Sequence, residues 1–223
     1  MKTNSVLFLL ALGILLTSGC ASLSGFHTGR TVGDNRAEFT ASLNAGNAPD
    51  FSEDEDEVSD QLNVVFFPNL ELGGRYGVSE KLDFGVRLNT SLNVLLDAKY
   101  QFIGDQESPF AMAAGAGFGT FGLISTQAAL VNFQVPLYTS YHPTESIGIY
   151  LSPRYIGQFG TAFSETSGLL SYYGFNTGAE FGKDALRFGL DYGFYQLDAP
   201  GTIENTNVMQ FGIGLKFMFG GND

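Results

Sequence analysis

The chain has no tryptophan, a single cysteine and only two histidines. Each shortage closes a class of explanation. One cysteine cannot build a disulfide scaffold, and so few Cys and His leave no cluster of the kind that holds zinc. No apolar run reaches the roughly 18 residues a membrane-spanning helix needs. Bases are scarce too: 11 Lys and Arg face 23 Asp and Glu, a net charge of −12. That excludes nucleic acid as a partner, because neutralising phosphates takes a basic face. Only 15% of residues are charged and 44% are hydrophobic, too apolar for a disordered polyanion. What the chain holds in quantity is glycine (29) and aromatics (21 Phe, 10 Tyr) in 223 residues. A single all-β barrel often takes about 200–250 residues.

The N-terminus reads as an export address. Lys2 is followed by an apolar run from Val6 to Leu16 and then by small residues up to Cys20. The stretch Leu16-Thr17-Ser18-Gly19-Cys20 resembles a bacterial lipobox, although Thr17 stands where that family usually has leucine. The resemblance implies a signal peptide over 1–19 and a covalent lipid on Cys20 as the mature N-terminus. Ala21 replaces the aspartate that retains such lipoproteins at the inner membrane, which implies delivery to the outer membrane by lipoprotein-sorting machinery. Removing Lys2 with the signal leaves a mature charge of −13. Residues 20–35 then read as a lipidated periplasmic linker.

Beyond the linker the pattern has period two. Met209, Phe211, Ile213, Leu215, Phe217 and Phe219 alternate with Gln210, Gly212, Gly214 and Lys216, which is a strand with one apolar face. The same alternation over the chain predicts ten strands, at 36–45, 61–76, 82–89, 93–103, 109–119, 127–141, 146–158, 170–182, 186–195 and 207–219. Tight links at 77–81, 143–145 and 182–185 alternate with longer ones at 46–60, 120–126, 159–169 and 196–206, with 90–92 a short exception. Short turns at one end and long loops at the other are the pattern of a transmembrane β-barrel. Aromatics gather near strand ends: Tyr76, Tyr100, Phe102, Tyr138 and Tyr141 on the turn side, Phe118 and Phe194 toward the loops. They suit interfacial girdles.

Residues 36–219 resemble the small outer-membrane barrels of the outer-membrane-protein-A and -X type. The stretch from Leu70 to Val78, followed by Lys81-Leu82-Asp83-Phe84-Gly85-Val86, is typical of them. The expected fold is therefore all-β: an antiparallel up-and-down transmembrane barrel of about ten strands, with eight or twelve as alternatives. Its termini would be periplasmic, in the outer membrane of a Gram-negative envelope. The resemblance also implies barrel-assembly machinery and outer-membrane lipids with lipopolysaccharide as partners. One departure is the tail at 220–223, because such barrels usually end on the aromatic that here is Phe219. The competing fold is a soluble tethered barrel, whose outward phase would be rich in Lys, Glu and Thr rather than in glycine, asparagine and glutamine.

Little here points to catalysis. His27 falls in the linker and His142 in a short turn, both away from the loop rim where barrel hydrolases place their general base. Gly117, Gly119 and Gly122 match G-x-G-x-x-G without a following helix, so strand glycines explain them. The loop at 46–60 holds Asp50, Glu53, Asp54, Glu55, Asp56, Glu57 and Asp60. It reads either as a charged, solvated loop or as a rim that gathers loosely bound divalent cations. No other cofactor is implied.

The non-lipid phase carries Glu38, Glu71, Asp83, Asp97, Glu180 and Asp191 against Arg75, Arg87, Lys99, Arg154, Arg187 and Lys216. Six acids and six bases predict a charge network filling the lumen. If Tyr76 lies opposite Leu82, Arg75 faces Asp83 and Glu71 faces Arg87. If Phe181 lies opposite Leu186, Glu180 faces Arg187, while Glu38 and Lys216 meet at the seam. The function expected is a non-catalytic, structural or surface barrel. A narrow passive channel for small cations or solutes is the alternative, and a lipid-remodelling enzyme a distant third. The lipid is directly testable: the mature mass should include acyl chains, and Cys20→Ser should remove them without preventing barrel insertion. A mature chain of unmodified mass would end the lipoprotein reading.

Overall fold

The computed structural model describes residues 23–49, 64–90, 93–121, 128–162, 165–166, 169–183, 185–198 and 206–220. Its elements are β1 Arg36–Pro49, β2 Val64–Ser79, β3 Leu82–Asn89, β4 Val94–Ile103, β5 Phe110–Phe121, β6 Ala128–Thr144, β7 Ile147–Ala162, β8 Glu165–Thr166, β9 Leu170–Lys183, β10 Leu186–Asp198 and β11 Thr206–Gly220. Ten are long strands, and the two-residue β8 pairs only with the end of β7. All pairings are antiparallel, and apart from β1–β11 and the short β8 they join long strands that follow one another in the chain. The β1–β11 pairing joins first strand to last, and the β6–β7 hairpin completes the ring. No long strand keeps an open edge, so the ladder leaves no row of backbone groups unpaired against hydrocarbon.

The outer surface follows from the period-two pattern. Leu72, Phe84, Leu96, Phe118, Ile149, Leu190 and Ile213 all point outward and are exposed, Phe211 to 62%. An outward apolar phase around a closed wall fits lipid, whereas a soluble barrel turns that phase inward. Tyr76, Tyr100, Phe102 and Tyr141 stand exposed near the turn end. Tyr138 does not join them. It shares the parity of Ser140 and His142 along β6, and is 1% exposed inside the lumen. At the turn between β4 and β5, Asp105 accepts hydrogen bonds from the Ser108 hydroxyl and from the backbone N–H groups of Ser108 and Glu107. These hold its carboxyl below its ordinary pKa.

Two registers differ from those the sequence suggested. Tyr76 lies opposite Phe84, not Leu82. The hairpin is tighter than expected, pairing Ser79 with Leu82, and an irregularity between Gly77 and Ser79 absorbs one residue. Likewise Phe181 lies opposite Phe188, because Lys183 pairs with Leu186. Each shift amounts to two residues, so every side chain keeps its face.

The largest departure lies before β1. The stretch expected to be a solvated linker is inside the barrel, with Leu23, Ser24, Phe26, His27, Thr28, Thr31 and Val32 all buried. Leu23 packs with Ile156, Tyr172, Tyr195, Leu197 and Val208 in the loop-side half. From there the segment runs down the lumen to the turn end. It reverses into β1 through Gly33 (φ 91°) and Asn35 (φ 54°), both in the left-handed region. The chain preceding β1 thus heads away from the turn end, where β11 finishes. Phe26 marks the closest packing. A Cβ at Gly212, Gly189 or Gly214 would lie 2.8, 2.9 or 3.0 Å from its ring. The glycines of β10 and β11 therefore form a notch for one aromatic side chain. Gly214→Val should expel Phe26 and expose Arg30 to trypsin, speeding cleavage there by about tenfold or more, since proteolysis tracks local opening. Equal cleavage of variant and parent in detergent would refute the notch.

Candidate functional site: a lumen closed by charge and by the N-terminal segment

The polar phases of β2, β3 and β4 build one wall of the lumen. On it, Glu71, Arg87, Asp97, Arg75, Asp83 and Lys99 form an alternating chain of charge. Glu71 and Arg87 are 3.8 Å apart, Arg87 and Asp97 3.7 Å, and Lys99 and Asp83 3.6 Å. Between them the guanidinium of Arg75 donates to both Asp83 and Asp97. Asp83 and Asp97 are thus each flanked by two bases and Glu71 has Arg87 beside it, the condition under which a low-dielectric interior tolerates charge. Arg75 contacts Asp83 diagonally, since its direct partner across the pair is Gly85. The two-residue shift therefore turned expected opposite pairs into diagonal ones, which long side chains span.

A second group occupies the far wall near the turn end. Arg187 pairs with Glu180 at 2.6 Å, and Lys216 with Glu180 at 3.0 Å. Lys216 also reaches Glu38 at 3.9 Å across the β1–β11 seam. Ten of the twelve charges read from the sequence are thus in ion pairs within the barrel. Arg154 and Asp191 instead hold the N-terminal segment.

That segment spends its backbone groups on lumen side chains, as a buried chain without a ladder must. The carbonyl of Ser24 accepts from Arg87 and from Arg154, each at 3.0 Å. The Ser24 hydroxyl donates to Glu71. Gly25 N–H donates to Asp191 at 3.1 Å, and that carboxylate also receives Asn176 at 3.0 Å and the Tyr150 hydroxyl at 2.7 Å. Asn176 further donates to the Leu23 carbonyl at 2.8 Å. Lower down, Gly29 N–H donates to Ser140 at 3.0 Å, Thr31 N–H to Gln101 at 2.9 Å and Val32 N–H to Asp83 at 2.9 Å. Lys99 donates to the Arg30 carbonyl at 2.6 Å. Ser24 and Val32 thus tie the segment into the same charge chain that lines the wall.

Below it the lumen widens into a vestibule of about 830 Å³ at the turn end. Both histidines line it. Neither is solvated: His27 is 3.8 Å from Glu38 and meets Tyr138 edge-on, while His142, near the end of β6, is buried with Nε2 3.0 Å from Ser140 Oγ. A hydroxyl beside an imidazole is half of a nucleophilic apparatus. Here Nδ1 of His142 has no hydrogen-bond partner, so no carboxylate orients the ring. Ser140 is instead occupied with Gly29. Among the described residues no group of three His, Cys, Asp or Glu is placed to hold a metal ion.

Cys20 and the acidic loop residues Asp50, Glu53, Asp54, Glu55, Asp56, Glu57 and Asp60 lie outside the described residues. Sequence reasoning missed Ser24, Gly25, Phe26, Gly29, Thr31 and Val32 as lumen residues. Two signals were present: the turn chemistry of Gly33-Asp34-Asn35, which reverses the chain, and the unexplained glycines facing inward on β10 and β11.

No family model matches the chain, and no curated protein does. Several solved structures are similar to it at low identity. Ail, the attachment invasion locus protein of Yersinia pestis, is 8% identical with a TM-score of 0.38, over 83% of this chain and 99% of that one. Neisserial surface protein A is 10% identical with a TM-score of 0.41, over 82% and 97%. An outer membrane channel from Pseudomonas putida F1 is 10% identical with a TM-score of 0.46, over 91% and 100%. Likeness this slight leaves the functional reading to the geometry.

Arg87 is the joint between wall and segment. Arg87→Ala should destabilise the detergent-folded barrel by about 3–5 kcal/mol, the usual cost of leaving a buried charge unpaired. Exchanging Glu71 and Arg87 should recover only part, because the Ser24 carbonyl then loses a donor. Denaturant melts indistinguishable from the parent would show the network to be dispensable.

Proposed function

We propose that the chain is a non-catalytic outer-membrane β-barrel lipoprotein with a structural or surface role, closed by its own N-terminal segment. The supporting observation is the run from Leu23 to Val32, buried apart from the half-buried Arg30 and pinned to side chains of opposite walls. An eight-stranded barrel is just filled by its own side chains. Ten strands enclose more, and this segment occupies the difference. A lipid on Cys20 would be attached three residues before Leu23, within about 11 Å of it along an extended chain.

The reading as a narrow cation channel draws less support, since at the turn-side entrance six bases (Arg30, Arg36, Lys99, Lys183, Arg187 and Lys216) outnumber the four glutamates Glu38, Glu107, Glu145 and Glu180. Single-channel recording in planar bilayers decides between the two. The mature chain should be silent, and a variant lacking residues 20–32 should show steady conductance steps while keeping the heat-modifiable gel shift of a folded barrel. Conductance of equal size in both would replace the closed barrel with a channel.

A further inference from the structure

We infer that the chain is threaded through its own barrel from the loop-side mouth, so that the residues before Leu23 and the end of β11 lie on opposite sides of the membrane. This differs from the turn-side linker expected of residues 20–35. The order of contacts along the lumen carries it. Leu23 clusters with Tyr172, Leu197 and Val208. These stand within two residues of Leu170, Asp198 and Thr206, where β9, β10 and β11 meet their loops. Gly25 N–H then donates to Asp191, midway along β10, and Gly29 N–H to Ser140, nearer the turn end of β6. Thr31 and Val32 reach Gln101 and Asp83, beside the turn-side ends of β4 and β3. The Thr31 hydroxyl donates to the Glu80 carbonyl in the β2–β3 turn itself. Each contact lies further toward the turns than the one before. Ten extended residues reach about 33 Å, enough to cross the apolar band of such a barrel, about 25 Å tall.

The surroundings of Leu23 set the way out. The wall is a closed ring of paired strands, so the chain has no lateral exit. The level below is already occupied. A Cβ on Gly25 would overlap Asn176, and Phe26 fills the notch of Gly189, Gly212 and Gly214. On the other walls Arg87 and Arg154 close on the Ser24 carbonyl, each at 3.0 Å. A second chain needs about 4.7 Å beside the first, so the loop-side mouth is the path left to residues before Leu23. Long loops of such barrels face the exterior and short turns the periplasm, which puts the threaded end at the cell surface. Acyl chains on Cys20 would then enter the outward leaflet. That consequence alone rests on the lipoprotein reading.

The test uses three full-length chains in Gram-negative cells, with one short epitope inserted after Ala21, after Gly201 in a loop, or after Gly220. The Ala21 epitope should bind antibody on intact cells as the Gly201 epitope does, while the Gly220 epitope should bind only after permeabilisation. An Ala21 epitope that behaves like the Gly220 one would overturn threading. Should the Ala21 chain lose its heat-modifiable shift, a second measurement decides. In the detergent-folded mature chain with Cys20→Ser, Leu23→Cys should cross-link on oxidation to Leu197→Cys and not to Gln101→Cys. No link to the first, or a link to the second, would equally overturn it. The mass of the mature chain reports the lipid separately, so an unmodified Cys20 would end the lipoprotein reading and leave threading intact.

Discussion

The interior of this barrel depends on one constraint: polar side chains driven inward by an apolar outer wall must find partners among themselves. Ten strands that present leucine and phenylalanine outward leave Glu, Asp, Arg, Lys, Asn and Gln nowhere else to point. Burying a lone carboxylate or guanidinium is prohibitive, while an alternating chain of them is tolerable. The chain from Glu71 through Arg87, Asp97, Arg75 and Asp83 to Lys99 is that solution on one wall. Arg187, Glu180, Lys216 and Glu38 repeat it near the seam.

The same constraint explains why the N-terminal segment is held without regular secondary structure. An extended chain brings backbone donors and acceptors that need partners, and the lumen has an excess of side chains able to supply them. Arg87 and Arg154 approach the Ser24 carbonyl from β3 and β7, and Asp191 meets the next amide. Segment and wall complete each other's hydrogen bonding. Where the wall instead turns apolar, at Ile156, Tyr172, Tyr195, Leu197 and Val208, the segment offers Leu23. Where β10 and β11 are bare glycine, it offers Phe26.

Polarity changes along the axis. The loops carry many acids in the sequence, whereas the turn-side vestibule is lined by six Lys and Arg, four glutamates and both histidines. This asymmetry bears on function more than the fold does, because many unrelated activities share such barrels.

Strand number, face and lumen composition were legible in the sequence because alternation is a local property. Each residue's side is fixed by its neighbours two positions away. The twelve lumen charges could therefore be named from parity alone, and the error at Tyr138 was one of parity along β6. Register was less legible: a tighter hairpin at Ser79 and Leu82 moved every β2–β3 pair by two residues without changing any face. The path of residues 23–35 was legible only in its end, where Gly33-Asp34-Asn35 has the chemistry of a reversing turn. Before that turn, nothing local distinguishes a polar, glycine-containing linker in water from the same residues in a polar cavity. Only the closed barrel, wide enough to leave space and lined with unmet donors and acceptors, decides that Ser24 lies between two arginines and Phe26 against three glycines.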